Sequence, residues 1–201
     1  MDPRVQAQLA EAAAAEDAAL AAVRSRAGPD ADLPSPPVGA LLAWIAATIA
    51  AKHVVEVGSA SGLTGLWLLR GLAPRGLITS IERDPRTQSL AMRAYDDAGA
   101  GDLVRSILSD PLAVLPRLSD HSYDLCIVQT NGVEYPRYLE HALRLLRPGG
   151  VLVVRGVSTG DGGDARGRRI LATDVAQDTR LIAAILDLDG GVLLATVLEA
   201  E

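Results

Sequence analysis

Residues 54 to 65 read Val54-Val55-Glu56-Val57-Gly58-Ser59-Ala60-Ser61-Gly62-Leu63-Thr64-Gly65. A short apolar run ends at a glycine, a second glycine follows four positions later, and a helix-forming stretch begins directly after it. Such a tight strand-to-helix turn lets a ligand approach backbone N–H groups, and glycine is needed wherever a Cβ would collide or φ must be positive. A dinucleotide fingerprint would require glycines at the first, third and sixth positions of the loop. Counted from Gly58, the third position is Ala60 and the sixth is Leu63. That reading is excluded, and the pattern that remains is acidic-x-Gly-x-x-x-Gly, from Glu56 to Gly62.

Outward from this turn, apolar runs alternate with longer amphipathic segments. Strands are expected at His53–Val57, Leu77–Ile81, Leu103–Leu108, Leu125–Val128 and Val151–Val154, and helices at Leu63–Leu72, Pro85–Ala98, Leu112–Leu118 and Tyr135–Leu146. This alternation implies βαβ units and a parallel sheet. The tail breaks the rhythm. A Gly/Asp/Arg-rich loop from Ser158 to Arg168 precedes a short helix at Ile170–Gln177, and two further strands, Leu181–Leu186 and Val192–Leu198, flank Asp187-Leu188-Asp189-Gly190-Gly191, a hairpin signal. Upstream, helix is expected over Arg4–Arg26 and again over Val38–Ala51, separated by Gly28-Pro29-Asp30 and Pro34-Ser35-Pro36-Pro37. The fold class is therefore α/β, Rossmann-like, with an antiparallel last pair. Residues 1–201 form a single domain, in which 1–33 are a helical extension and 34–201 the core.

Composition narrows the function. The 201 residues are 49% hydrophobic and 22% charged, which is enough apolar material for one core without disulfide or metal support. Phe is absent, so Ala, Val, Leu and Ile must fill that core. The formal net charge of −6 argues against a general nucleic-acid binder, because phosphate neutralisation needs a basic face. The single cysteine, Cys126, lies in an apolar run and is expected to be buried, reduced and inert. Val38–Ala51, the longest apolar stretch, is shorter than the ~20 residues that cross a bilayer. The opening Met1-Asp2-Pro3-Arg4, followed by Glu11, Glu16 and Asp17, does not have the pattern of a secretory signal. No membrane or nucleic-acid partner is expected, and the cytoplasm is the expected compartment.

Two carboxylates lend chemical meaning to the turn. Glu82 closes the second expected strand, where an acceptor takes hydrogen bonds from vicinal ribose hydroxyls, and Asp110 closes the third, where a base amino group would lie. Both stand at the carboxyl edge, where open α/β sheets bind ligands. From about Pro34 onward the chain resembles the catechol and caffeoyl-CoA type O-methyltransferases, which depend on S-adenosylmethionine (SAM). The resemblance rests on Val-Glu-Val-Gly-Ser-Ala-Ser-Gly-Leu-Thr-Gly-Leu-Trp-Leu, Ser-Asp-Pro-Leu-Ala-Val-Leu-Pro, and Tyr-Leu-Glu-His-Ala-Leu-Arg-Leu-Leu-Arg-Pro-Gly-Gly-Val-Leu-Val-Val. It implies a seven-stranded sheet of order 3-2-1-4-5-7-6, and commonly a homodimer. It also implies that Glu56, Gly58, Ser59 and Thr64 line the methionine end of SAM, Glu82 its ribose, and Asp110 with Pro111 its adenine edge, with Gly62 also among the cofactor-binding residues.

The chain departs from the family where the chemistry lies. Such enzymes hold a divalent cation with an aspartate after strand four and an Asp-Asn pair after strand five, and use a lysine three residues past the first aspartate as base. Those positions are Gln129, Arg155-Gly156 and Gly132 here. Hard divalent ions need carboxylate oxygens, so no metal is expected. The only lysine, Lys52, precedes strand one at the opposite edge. Arg155 would then take over the cation's charge, leave the site at about +1, and with Gln129 position an anionic small-molecule acceptor. Two alternatives stay open: a catalytically silent SAM-binding or dimer-forming relative, and a nitrogen acceptor, although Gln129-Thr130-Asn131-Gly132 lacks the motif of nucleic-acid amino-methyltransferases. Glu134, Tyr135 and Tyr138 lie near the expected pocket mouth, where tyrosines on a helix mostly pack. Asp161 and Asp164 are read as solvated loop acids, with pairing to Arg155 as the alternative. Trp44 and Trp67 are read as packing residues, and His121 and His141 as unrelated to the chemistry.

Overall fold

Proline and aspartate set the helix starts. A computed structural model describes residues 14–29, 31–130, 134–157 and 163–199. Helix α1 (Ala18–Ala27) begins where the Asp17 side chain accepts from the Leu20 N–H at 3.0 Å, so within the expected Arg4–Arg26 helix residues 14–17 are not helical; residues 4–13 lie outside the described residues. Helix α2 (Pro36–Thr48) has proline at its first position, and α4 (Pro85–Asp97) and α5 (Pro111–Val114) each combine proline there with an aspartate cap, Asp84 and Asp110. The remaining helices are α3 (Leu63–Leu69), α6 (Tyr135–Leu145) and α7 (Gly163–Gln177). Helix α7 occupies part of the segment expected as loop; the run of Gly, Asp and Arg has little apolar content to reveal a helix.

The strands are β1 (His53–Val57), β2 (Leu77–Glu82), β3 (Val104–Leu108), β4 (Tyr123–Val128), β5 (Leu146–Arg155), β6 (Leu181–Leu186) and β7 (Val192–Val197). They form one sheet in the order β3-β2-β1-β4-β5-β7-β6, as expected, with β7 antiparallel to both β5 and β6. Strand β5 starts earlier than its apolar run, because Leu146 pairs with Tyr123 before a register shift at Tyr123/Leu125 admits Pro148-Gly149-Gly150.

Alternation along the strands splits the core into two layers. Val55, Val57, Cys126, Val128, Leu152 and Val154 face Leu112, Leu139 and Leu171 of α5, α6 and α7. Val54, Ile78, Leu125, Ile127 and Val153 face Val38, Leu42 and Ile45 of α2. A satellite cluster joins Leu20 and Val23 of α1 to Leu63, Trp67, Ala91 and Tyr95. Each such aliphatic side chain, fully buried, contributes roughly 1.5–3 kcal/mol. With no Phe present, Tyr95, Tyr135 and Tyr138 are among the largest fully buried side chains. Trp67 packs as expected, whereas Trp44 is 63% exposed. Trp44 sits on α2 beside residues that face the sheet, and helical rotation carries it outward.

The register brings the functional positions level. Val57 pairs with Ile81 and Val128, Ile81 with Ile107, and Val128 with Val154, so Gly58, Glu82, Ser109, Gln129 and Arg155 emerge along one edge. Lys52 precedes β1 and lies at the other edge. Among the described residues no helix is long and apolar enough to cross a membrane.

Candidate functional site

The turn after β1 is built against its own neighbours. Gly58 has φ +85°, and a Cβ there would stand 2.4 Å from the Gln129 carbonyl oxygen; Gly62 has φ +89°, and its Cβ would stand 3.0 Å from Ala91 Cα. The collisions that demand glycine are thus with β4 and α4. Between them Ala60 (φ +42°) and Ser61 (φ +55°) also take left-handed conformations, at a cost of about 1–2 kcal/mol each. Strain of this kind persists only where the surroundings impose it, and it concentrates at ligand-binding turns.

Glu82 holds this turn to the end of β2. Its Oε2 accepts from the Ser59 N–H (2.9 Å) and Ser59 hydroxyl (3.0 Å), and its Oε1 from the N–H groups of Arg83 (2.8 Å) and Asp84 (3.0 Å). Three of these donors are backbone groups; the Ser59 hydroxyl alone can rotate away and leave its place to a ligand hydroxyl. At the end of β3, Asp110 uses Oδ1 to cap the Leu112 N–H at 3.0 Å and is otherwise largely exposed, with Pro111 buried behind it.

Glu56 lies deeper than the sequence implied. It is fully buried, and its oxygens accept from the Ser80 hydroxyl (2.6 Å) and Gln129 Nε2 (3.1 Å). Burial raises its pKa to about 8, against the opposing Ser80 hydrogen bond and with added repulsion from Glu82. Gln129 stands at the end of β4 as a fully used amide. Nε2 donates to Glu56 and to the Gly58 carbonyl (2.7 Å), while Oε1 accepts from the Thr64 hydroxyl (2.9 Å) and Arg155 Nη1 (2.9 Å). Gln129, expected beside Arg155 on the acceptor side, therefore also joins Thr64, Glu56 and Gly58, expected at the cofactor, by direct bonds.

Arg155 ends β5, almost wholly buried. Besides Gln129 it meets Asp32 at 3.3 Å and Asp189 at 4.0 Å, and its Nε has no hydrogen-bond partner among the described residues. Asp189 also accepts from the Ser35 N–H at 2.7 Å, which ties the β6–β7 turn to the start of α2. The site charge of about +1 inferred from the sequence is therefore corrected, because two carboxylates flank the guanidinium. Asp161 and the Asp164 side chain lie outside the described residues, as do Asn131 and Gly132. Neither sequence separation nor composition signals Asp32, which is 123 positions from Arg155.

Among the described residues, the ends of β4 and β5 carry an amide and a guanidinium, Gln129 and Arg155, which do not fit a divalent cation. Among the described residues no three or more His, Cys, Asp or Glu side chains are grouped to hold one. A cavity of about 440 Å³ opens at the opposite edge, lined by His121, Pro148 and Arg180 among others, away from all these acids. Tyr135 and Tyr138 are buried as expected, but Tyr138 also carries a polar contact: its hydroxyl donates to Glu134 at 2.8 Å and accepts from Arg83 at 3.2 Å. Nothing in the sequence marks Arg83 beyond its place directly after Glu82.

Residues 34–198 match the family model described as O-methyltransferase. A protein of Mycobacterium avium (strain 104), whose name assigns it provisionally to the O-methyltransferases, is 40% identical over 196 residues, covering 92% of this chain and 88% of that one. Among solved structures, the O-methyltransferase TomG from Streptomyces achromogenes, involved in tomaymycin synthesis and solved in complex with SAM, is 28% identical with a TM-score of 0.86, over 98% of this chain and 96% of that one. A Corynebacterium glutamicum protein superimposes with a TM-score of 0.87 at 28% identity, over 98% of both chains. Together with the sheet order and the level edge, these likenesses place the chain in the O-methyltransferase family.

Proposed function

We propose that this protein transfers the methyl group of SAM to an oxygen of a small-molecule acceptor, without a divalent cation. The observation that carries the reading is the alignment of three features at one sheet edge: the Gly58–Gly62 turn, Glu82 and Asp110. These residues fit SAM. Glu82 offers an oxygen to a ribose diol once the Ser59 hydroxyl turns, Asp110 keeps Oδ2 for a base amino group, and the strained turn presents backbone beside them. When bound, SAM supplies an electrophilic methyl group on a sulfonium, so the protein's task is in-line positioning more than acid–base work.

Gln129 and Arg155 stand on the acceptor side. A carboxylate or phenolate reaches Arg155 by replacing Asp32, whose side chain is 91% exposed and whose contact is long. The guanidinium then favours the ionised acceptor by opposite charge, which serves in place of a lysine base. We further infer a single domain over residues 1–201, a homodimer, and action in the cytoplasm, in keeping with the buried thiol of Cys126.

The test is calorimetry with SAM, followed by a methyl-transfer assay over a panel of hydroxybenzoates with magnesium or with EDTA. The expected result is SAM binding by the wild type, weakened about 10- to 100-fold in Glu82→Gln as charge-assisted bonds to the ribose are lost, and turnover unaffected by EDTA. Turnover that appears only when magnesium is added would overturn the metal-free mechanism.

A further inference from the structure

Arg155 is fastened at its backbone and open along one edge of its side chain. It pairs with Val192 of β7, and its carbonyl accepts from the Tyr135 hydroxyl at 3.0 Å. Nη1 is taken by Gln129 Oε1 at 2.9 Å. The Nε–H and one N–H of Nη2 lie along another edge of the planar group, and these two form the fork that meets both oxygens of a carboxylate. On that edge Nε is buried without a hydrogen-bond partner among the described residues, and Nη2 has Asp32 at 3.3 Å and Asp189 at 4.0 Å. A buried guanidinium N–H left unpaired is costly, so this edge is suited to an acceptor that the described residues do not supply.

Neither acid fills the fork. Asp189 accepts from the Ser35 N–H at 2.7 Å through Oδ2, the same oxygen that lies 4.0 Å from Arg155. Asp32 makes one long contact while its side chain is 91% exposed. The backbone beyond Asp32 is held in place. Leu33 packs against the cluster around α1, and the Pro34 carbonyl accepts from Arg24 at 2.7 Å, itself bound to Glu16 at 2.6 and 2.9 Å. The Asp32 side chain is thus the part that can turn outward, and its carboxylate stands where an incoming one would bind. A phenolate has a single oxygen for this fork, whereas a carboxylate has one for each arm.

We propose that the acceptor carries a carboxylate, which Arg155 grips through Nε and Nη2, and that Asp32 is the chain's own stand-in, which this carboxylate displaces. This rests on the transferase reading above and narrows its acceptor from carboxylate or phenolate to carboxylate. Asp32 then filters what enters. A neutral acceptor breaks an ion pair and makes no other, whereas a carboxylate exchanges one long contact for two short ones.

Benzoate and benzamide are the probes. Each is titrated calorimetrically into the wild type, Asp32→Asn and Arg155→Lys, with and without S-adenosylhomocysteine, and the thermal midpoint of each protein checks its folding. Asp32→Asn is expected to bind benzoate about fivefold more tightly than the wild type does, because one exposed ion pair no longer competes, while benzamide binds both proteins equally weakly. Arg155→Lys keeps the charge and loses the fork, and is expected to bind benzoate about tenfold more weakly than wild type. In the wild type, benzoate is expected to move the Arg155 Nε–H proton resonance downfield as a hydrogen bond forms there, a readout that needs no variant to fold. Benzoate bound by Asp32→Asn no better than by wild type, or no better than benzamide, would overturn the proposal. So would an Nε–H resonance that benzoate leaves in place, or a folded Arg155→Lys that binds benzoate like wild type. Any of these results in a protein that binds S-adenosylhomocysteine defeats this inference alone, whereas a protein that binds neither SAM nor S-adenosylhomocysteine defeats the transferase reading on which it rests.

Discussion

Glu56 is the buried group with the largest consequence for behaviour in solution. Its pKa in the fold is about 8 against an ordinary value of 4.5, because burial disfavours the charged form. The folded state thus holds a proton that the unfolded chain releases. The corresponding stability is fully present below about pH 4.5 and is lost as pH rises toward 8, over a range on the order of 3–5 kcal/mol. Replacing Glu56 with Gln removes the titration while keeping the shape. Thermal midpoints measured from pH 5 to 8.5 are expected to fall more steeply for wild type than for Glu56→Gln, and parallel curves would contradict the assignment. Gln129 makes the opposite case, since its amide uses all its valences on four partners. Gln129→Ala leaves Glu56, Thr64 and Arg155 short of partners and is expected to cost about 2–4 kcal/mol in urea unfolding. The sequence marks Gln129 and Arg155 as departures from a family pattern, but their partners are invisible in it. Asp32 meets Arg155 only because the segment before α2 folds back over the ends of β5 and β7.

Elements whose limits depend on local chemistry were the legible ones. Asp84-Pro85 and Asp110-Pro111 state helix starts in two residues, and segments of five or six residues rich in Val, Ile and Leu mark β1, β2, β3 and β6. Strand β5 and helix α7 extend beyond their expected limits, because Pro148-Gly149-Gly150 resembles a turn and α7 opens on residues that favour loops. Tertiary pairing to Tyr123 outweighs that local signal in β5. The turn after β1 lies where its two glycines predict, yet the reason for those glycines is contact with the protein itself. Gly58→Ala combines a left-handed φ with a Cβ 2.4 Å from the Gln129 backbone and is expected to cost about 3 kcal/mol or more. Gly99→Ala, at φ +65° with nothing within 4 Å, isolates the backbone term and is expected to cost about 1 kcal/mol. Equal losses for the two in chemical denaturation would mean that the close approach to β4 contributes nothing.

At the scale of the molecule, the two ends of the sheet differ in kind. Ligand chemistry collects around β1, β2, β3 and β4, while the other end closes on β6, an edge strand of sequence Leu-Ile-Ala-Ala-Ile-Leu with no charge, proline or bulge. Ile182 and Ile185 are 66% and 55% exposed and, three positions apart, project from opposite faces. An apolar edge of this sort is a template for further pairing unless something covers it. In the homodimer we propose, a second β6 related by a two-fold axis would continue the sheet antiparallel and cover this edge. Sedimentation of the wild type at micromolar concentration is expected to show a dimer, and the double substitution Ile182→Lys with Ile185→Lys a monomer, since lysine on an edge strand blocks strand addition. Because β6 lies four strands from β1, the monomeric variant is expected to keep its affinity for SAM within about twofold, a change below 0.5 kcal/mol. A dimer that survives both lysines would place the interface elsewhere. Loss of SAM binding along with the dimer would mean that the second subunit completes the site, contrary to the assignment of every cofactor contact to one chain.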